Sequence, residues 1–189
     1  MPKKSLRNVF LLLFFLLNLT PCFCLDGKVK KQIDLSQFEK RVFSQNGEDG
    51  VLEIIFHYIQ PKTKYFVEFG VEDGTICNTR FFREKYHWTG LMMDGRFSNP
   101  QINLRQHFIT AENICDLLEY YGVPQEFDLL SIDVDGNDWY LWKRILEKYR
   151  PSVVVIEYNP NFFPHQDFII TYDPDFYWGK CPVPSCNCI

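Results

Sequence analysis

The sequence predicts an α/β domain built on a parallel, doubly wound sheet. Three observations carry that prediction. Short apolar runs rich in Val, Ile, Leu and Phe recur through residues 65–156, with helical patterns between them. Most of these runs lack polar alternation, as strands buried on both faces require. They also end at glycine or a carboxylate (Gly70, Asp94, Asp133 and Glu157), at the strand ends where ligands bind in such sheets.

A length of 189 residues fits one domain, and 18 phenylalanines are ample for a core. The formal net charge of −4, with scattered basic residues, argues against a general nucleic-acid binder.

The elements follow in order. Lys3, Lys4 and Arg7 form a positive start, Val9 to Leu17 is almost purely apolar, and Cys22 and Cys24 give a small-x-small pattern before Leu25. The run is shorter than the ~20 residues that span a bilayer. A cleaved signal peptide over residues 1–24 is expected, with an uncleaved ER- or Golgi-type anchor as the alternative. Cleavage leaves no stable membrane span and directs the protein to the secretory pathway, secreted or lumenal. Residues 25–43 are polar and basic and read as a linker or loose helix.

Ser44 is a good N-cap, Glu48 and Asp49 place negative charge in a first turn, and the apolar face runs through Ile59 until Pro61. Tyr65–Phe69 reads as a strand, Asn78–Tyr86 as a helix and Gly90–Met93 as a strand. His107–Ile109 is a short, weak strand. Glu112–Tyr121 is a helix closed by Gly122 and Pro124, followed by a strand over Phe127–Ile132. Trp139–Tyr149 is a helix with Trp139, Leu141, Trp142, Ile145 and Leu146 as its apolar positions; Val153–Ile156 is a strand. Phe168–Thr171 is the last strand candidate. Residues 176–189 form a Cys- and Pro-rich tail in which Cys181, Cys186 and Cys188 fit a disulfide better than zinc ligation, since no CxxC or histidine pair accompanies them.

Four motifs carry chemistry. Glu68-Phe69-Gly70-Val71-Glu72-Asp73-Gly74 follows a strand, and its glycines permit a sharp turn. It lacks the Lys and Ser/Thr of a P-loop, and its carboxylates would repel pyrophosphate. They suit a cationic ligand instead, such as S-adenosylmethionine (SAM), which carries an ammonium and a sulfonium. Asp94 ends the next strand, where a carboxylate can accept from both hydroxyls of a ribose. Asp133-Val134-Asp135-Gly136-Asn137-Asp138 crowds three carboxylates that call for a cation, a donor-rich ligand or water. It is no EF-hand, because its glycine is misplaced. Asp138 or Asn137 reads as the cap of the following helix, leaving Asp133 and Asp135 for the site. Glu157, in Ile156-Glu157-Tyr158-Asn159, ends a strand expected to neighbour that of Asp133.

Together these blocks, with Ser44-Gln45-Asn46-Gly47-Glu48-Asp49, Trp88-x-Gly90-Leu91, Ala111-Glu112-Asn113-Ile114 and Asp128-Leu129-Leu130-Ser131-Ile132-Asp133, resemble the FkbM-like branch of class I SAM-dependent methyltransferases. The resemblance covers about residues 42–175 and defines a methyltransferase-like domain over 44–175. It implies a Rossmann-like sheet and O-methylation of a hydroxyl on a small-molecule or glycan acceptor. It also implies SAM as cofactor, with Glu68, Gly70 and Gly74 at its methionine end, Asp94 at its ribose and Asn113 near its adenine. The family closes its sheet with a helix and a β-hairpin; this sequence offers only Phe168–Thr171, so a sheet truncated before that hairpin is expected.

The expected chemistry centres on Asp133 as the base that takes the acceptor's proton, with Asp135 and Glu157 in support. If the three converge, their repulsion either raises one pKa or recruits a divalent cation such as Mg²⁺. Two other classes stay open: a non-catalytic secreted or lumenal binding module on the same fold, and a calcium-dependent recognition domain.

Overall fold

A computed structural model describes residues 33–157 and 169–176. The expected signal segment 1–24, Phe168 and nearly all of the tail lie outside the described residues. Among the described residues, no helix is long and apolar enough to cross a membrane.

The fold is α/β, with one five-stranded parallel sheet flanked by helices. The strands are β1 (Tyr65–Phe69), β2 (Thr89–Asp94), β3 (Leu104–Gln106), β4 (Glu126–Ile132) and β5 (Arg150–Ile156). Their spatial order is β3-β2-β1-β4-β5, and every pairing is parallel. The helices are α1 (Glu48–Ile59), α2 (Arg80–Tyr86), α3 (Ile114–Tyr120) and α4 (Asp138–Leu146).

Alternation along the strands divides the core in two, because successive side chains point to opposite faces. Val67, Phe69, Leu91, Met93, Leu130, Ile132 and Val154 pack with α3 and α4 through residues such as Leu118 and Leu141. Phe66, Met92, Leu129, Val153 and Val155 pack with α1 and α2 through Leu52, Phe56, Phe81 and Phe82. Burial on both faces explains the continuous apolar runs.

Several elements depart from the expectations. The third strand is Leu104–Gln106, not His107–Ile109. Leu104 is wholly buried and pairs with Met92, whereas the exposed Gln106 and half-buried Arg105 give the strand no apolar pattern to read. The first helix begins at Glu48, with left-handed Gly47 as its cap. Ser44 still contributes: its Oγ accepts from Asp49 N at 3.1 Å, while Asp49 Oδ2 accepts from the backbone N of Val42, Phe43 and Ser44 at 2.7–2.8 Å. That clasp folds residues 42–44 onto the domain, and Leu35 and Phe43 pack against the core. The last helix stops at Leu146, and β5 starts at Arg150 because Arg150 and Pro151 pair with Glu126 and Phe127. Proline is tolerated there near the start of the strand. Trp139 remains 40% exposed rather than joining the core. Ile169, Ile170 and Thr171 form no strand.

Candidate functional site

The strand order reverses direction between β1 and β4, since β2 and β3 extend to one side of β1 and β5 lies beyond β4 on the other. A crevice therefore opens at the carboxyl ends of β1 and β4. Gly70, just past β1, sits there with φ +73, and a Cβ on it would stand 1.6 Å from the Asp133 carbonyl oxygen. No other residue fits this approach of the two loops. Gly70 N also donates to Met93 O at 3.0 Å, so the same residue touches the ends of three strands.

The turn after Gly70 is built from its own polar groups. Gly74 N donates to Val71 O at 2.9 Å, and Asp73 Oδ1 accepts from Thr75 N at 2.9 Å. Gly74 has φ +76, and a Cβ there would meet the Ile102 side chain at 2.7 Å. Glu72 and Asp73 remain exposed.

Glu68 lies beneath this turn. Its Oε1 accepts from Asn78 N at 2.8 Å and Ser131 Oγ at 3.2 Å; its Oε2 accepts from Thr79 N at 3.0 Å and Thr79 Oγ1 at 2.5 Å. The carboxylate thus anchors the start of α2 to β1 and β4. Burial pushes its pKa up, against the opposing pull of these hydrogen bonds.

Asp94, buried at the end of β2, accepts from Glu72 N through Oδ2 at 2.9 Å. Its Oδ1 accepts from Arg96 N at 2.8 Å and Phe97 N at 3.2 Å. It locks the β1 turn to the loop after β2. About four lone-pair sites are available to a carboxylate, so about one remains for a ligand donor.

Asp133, Asp135 and Glu157 come together. One carboxylate oxygen from each lies within 4.8 Å of the others, and all three residues are half-buried. The register makes this unavoidable for two of them: Ile132 pairs with Ile156, so Asp133 and Glu157 leave adjacent strands side by side. Asp135 joins by a left-handed backbone, φ 61, next to Gly136. Oxygen donors at this spacing are the set that could hold a hard divalent cation.

Asp138 does a different job from capping the helix. Its Oδ1 accepts from Val134 N at 2.9 Å and its Oδ2 from Gly136 N at 2.8 Å, holding the aspartate loop closed. Burial raises its pKa, with the backbone donors opposing. Asn113 lies on another loop, at the start of α3. Its Oδ1 accepts from Thr110 N at 2.9 Å and its Nδ2 donates to Phe108 O at 2.9 Å. That loop adjoins Asp94 through His107 N donating to Asp94 O at 2.9 Å, but it is separate from the Asp133 cluster.

Two contributions were missed in the sequence. A small cavity of about 40 Å³ beside Glu68, Gly70 and Asp133 is also lined by Gln45, Glu48 and Asn78. That volume admits a water or two, so anything larger rests on the loops above. The Gln45–Glu48 block belongs to the resembling motifs, which was its available signal. The second contribution is the segment 169–176. Tyr172 OH accepts from Ala111 N at 3.0 Å and donates to Glu112 Oε2 at 2.6 Å, while Asn137 Nδ2 donates to Asp173 O at 2.7 Å. The hydrogen bond from Tyr172 helps hold the Glu112 carboxyl below its ordinary range. This strap ties the Asn113 loop to the aspartate loop; no periodicity announced it.

Comparison with protein-family models, curated proteins and solved structures finds no match. The geometry therefore carries the functional argument alone. What it offers is an acidic rim at a switch point: exposed Glu72 and Asp73, buried Asp94 and the Asp133–Asp135–Glu157 triad. Such a rim favours a cationic ligand or metal and disfavours phosphate-rich ones.

Proposed function

We propose that the chain is a SAM-dependent O-methyltransferase of the FkbM-like kind, acting in the secretory pathway on a hydroxyl of a glycan or another small acceptor. The observation that carries the reading is the meeting of two acidic strand ends, Asp94 and Asp133, on one glycine turn at the switch point, with Glu157 beside Asp133. Gly70 and Gly74 shape a turn with exposed carboxylates, which fits an ammonium- and sulfonium-bearing ligand. Asp94 stands at the ribose position.

Bound SAM supplies a methyl group already activated by its sulfonium, so the protein's work is alignment and proton removal. Asp133 accepts the proton of the acceptor hydroxyl as the oxygen bonds to the methyl carbon, and the carbon–sulfur bond breaks to leave a neutral thioether. Asp135 and Glu157 stand beside it, with one carboxylate oxygen of each of the three within 4.8 Å of the others. Were a divalent cation bound, Asp133, Asp135 and Glu157 would hold it, and it would supply Lewis-acid lowering of the hydroxyl's pKa.

A second reading, a binding module that retains the fold without catalysis, is favoured by one detail. Asp94 already accepts three backbone N–H groups, which is the work of a structural residue. Isothermal titration with SAM separates the two. Saturable binding supports the enzyme, and its absence supports the module. Asp94→Ala should cost about 1.5–3 kcal/mol of SAM affinity, from the one hydrogen bond that its remaining acceptor site can take. Unchanged affinity in a variant that still unfolds cooperatively would remove Asp94 from the ribose.

A further inference from the structure

A second cavity, of about 610 Å³, lies at the opposite edge of the sheet. It opens beside the residues that precede β1 and β2, along α1 from Gly50 to His57 and against Phe82 and Tyr86 of α2. Five residues of β1 separate this edge from Gly70, roughly 16 Å at strand rise. Its volume falls in the range of small-molecule sites, about 300–1,000 Å³.

The floor is aromatic. Phe56, Phe82 and Trp88 are buried and in mutual contact, with ring centroids 4.8 Å apart for Phe56–Trp88 and Phe82–Trp88 and 5.4 Å for Phe56–Phe82. Phe56 meets both other rings edge-to-face, and Phe82 and Trp88 are tilted at 48°, so the three present a fixed apolar surface. The rim is cationic. Lys40 and Lys64 both line it and are exposed. The rim's one carboxylate, Glu53, accepts from Lys85 Nζ at 2.6 Å and from the Tyr86 hydroxyl.

Both lysines stand on fixed backbone. Lys64 N donates to Asp128 Oδ2 at 2.6 Å and Lys64 O accepts from Thr89 N at 3.1 Å. Lys40 N donates to Gly47 O at 3.0 Å and Lys40 O accepts from Gly50 N at 3.3 Å. Gly50 makes the second contact possible: a Cβ there would stand 2.1 Å from Phe38 O. The cavity is therefore a built feature, with an apolar floor and two lysines rooted in fixed backbone at its rim.

We propose that this cavity binds an amphipathic organic anion, an aryl or acyl body on the aromatic floor with its carboxylate met by Lys40 and Lys64. The site is independent of the methyltransferase reading. It also touches that site's scaffold, since α1 and α2 run between the two edges, with Glu48 and Asn78 near one end and His57 and Tyr86 at the other.

The test is isothermal titration of the whole protein with dodecanoate and with 1-naphthoate, below any micellar concentration. Dodecyltrimethylammonium serves as the cationic control. One saturable site for at least one of the two anions is expected; the tighter of them identifies an acyl or an aryl body. The double variant Lys40→Glu/Lys64→Glu, altered only at exposed positions, should weaken that binding at least tenfold with thermal unfolding unchanged. Ile54→Trp, which fills the cavity from α1, should weaken it likewise. The proposal is overturned if neither anion saturates, if the cation binds as tightly, or if the double variant retains the parent affinity.

Discussion

Asp133 is one carboxylate among three, and its neighbours decide what it can do. Asp135 and Glu157 oxygens lie within 4.8 Å of it, an arrangement that a shared proton or a divalent cation would relieve. A base contributes typically ~10²–10⁴-fold, so Asp133→Asn should lower the methyl-transfer rate by that factor while leaving SAM affinity within about twofold. Activity should survive EDTA if the shared proton is the device. Loss on chelation with recovery in Mg²⁺ would assign the triad to a metal instead. Glu68 gives a prediction that needs no substrate. Burial raises its folded pKa above the ordinary 4.5. The folded state therefore holds its proton more tightly than the unfolded chain does. The stability so conferred is complete below about 4.5 and is lost as pH rises through the raised folded value. Glu68→Gln removes this titration. The stability difference, parent minus variant, should shrink as pH climbs from 4 to 8 in parallel thermal melts. A pH-independent difference would mean that burial and hydrogen bonding cancel.

At the scale of elements, the connection from α1 to β1 shows how a single buried side chain can set an edge of the sheet. Asp128 on β4 accepts from Lys62 N, Thr63 N, Thr63 Oγ1 and Lys64 N, at 2.6–2.9 Å. Asp128→Ala removes four hydrogen bonds to a buried carboxyl group at once, and one hydrogen bond to a charged acceptor is worth about 1.5–3 kcal/mol. A loss of at least about 3 kcal/mol in urea denaturation is expected, larger than for Asp128→Asn. The same example marks what could be read beforehand. Tyr65–Phe69 was legible to the residue because a fully buried strand is a continuous apolar run between breakers. The convergence of Asp133 and Glu157 followed from parallel order alone. β3 was not legible, since one buried leucine carries it and pairing with Met92–Asp94 defines the rest. Nor were the clasps of Asp49, Asp128 and Asp138. Each depends on where a loop's N–H groups point, which residue types do not encode. Read from the sequence, Asp138 was a cap; its partners Val134 and Gly136 instead make it a loop fastener.

For the whole molecule, the switch point is also a seam. On one side lie β1, β2 and β3, on the other β4 and β5, and the loops past β1 and β4 meet where Gly70 abuts Asp133. A ligand seated across that seam contacts loops from both halves, so its binding energy should resist the separation of both. At a hundredfold excess over Kd the gain is about 2.7 kcal/mol. For a domain of this size that corresponds to a rise of very roughly 5–11 °C in Tm, at about 2–4 °C per kcal/mol. Protection in hydrogen exchange should appear together in residues 70–75, 94–97 and 133–138, and should spare residues 57–64 at the opposite edge. The amphipathic anion should give the reverse pattern, slowing exchange at 57–64 and in the carboxyl half of α1. If SAM raised Tm but protected only the 57–64 edge, it would be occupying the aromatic cavity. The acidic rim would then lose its claim to the cofactor, whatever the resemblance of its sequence.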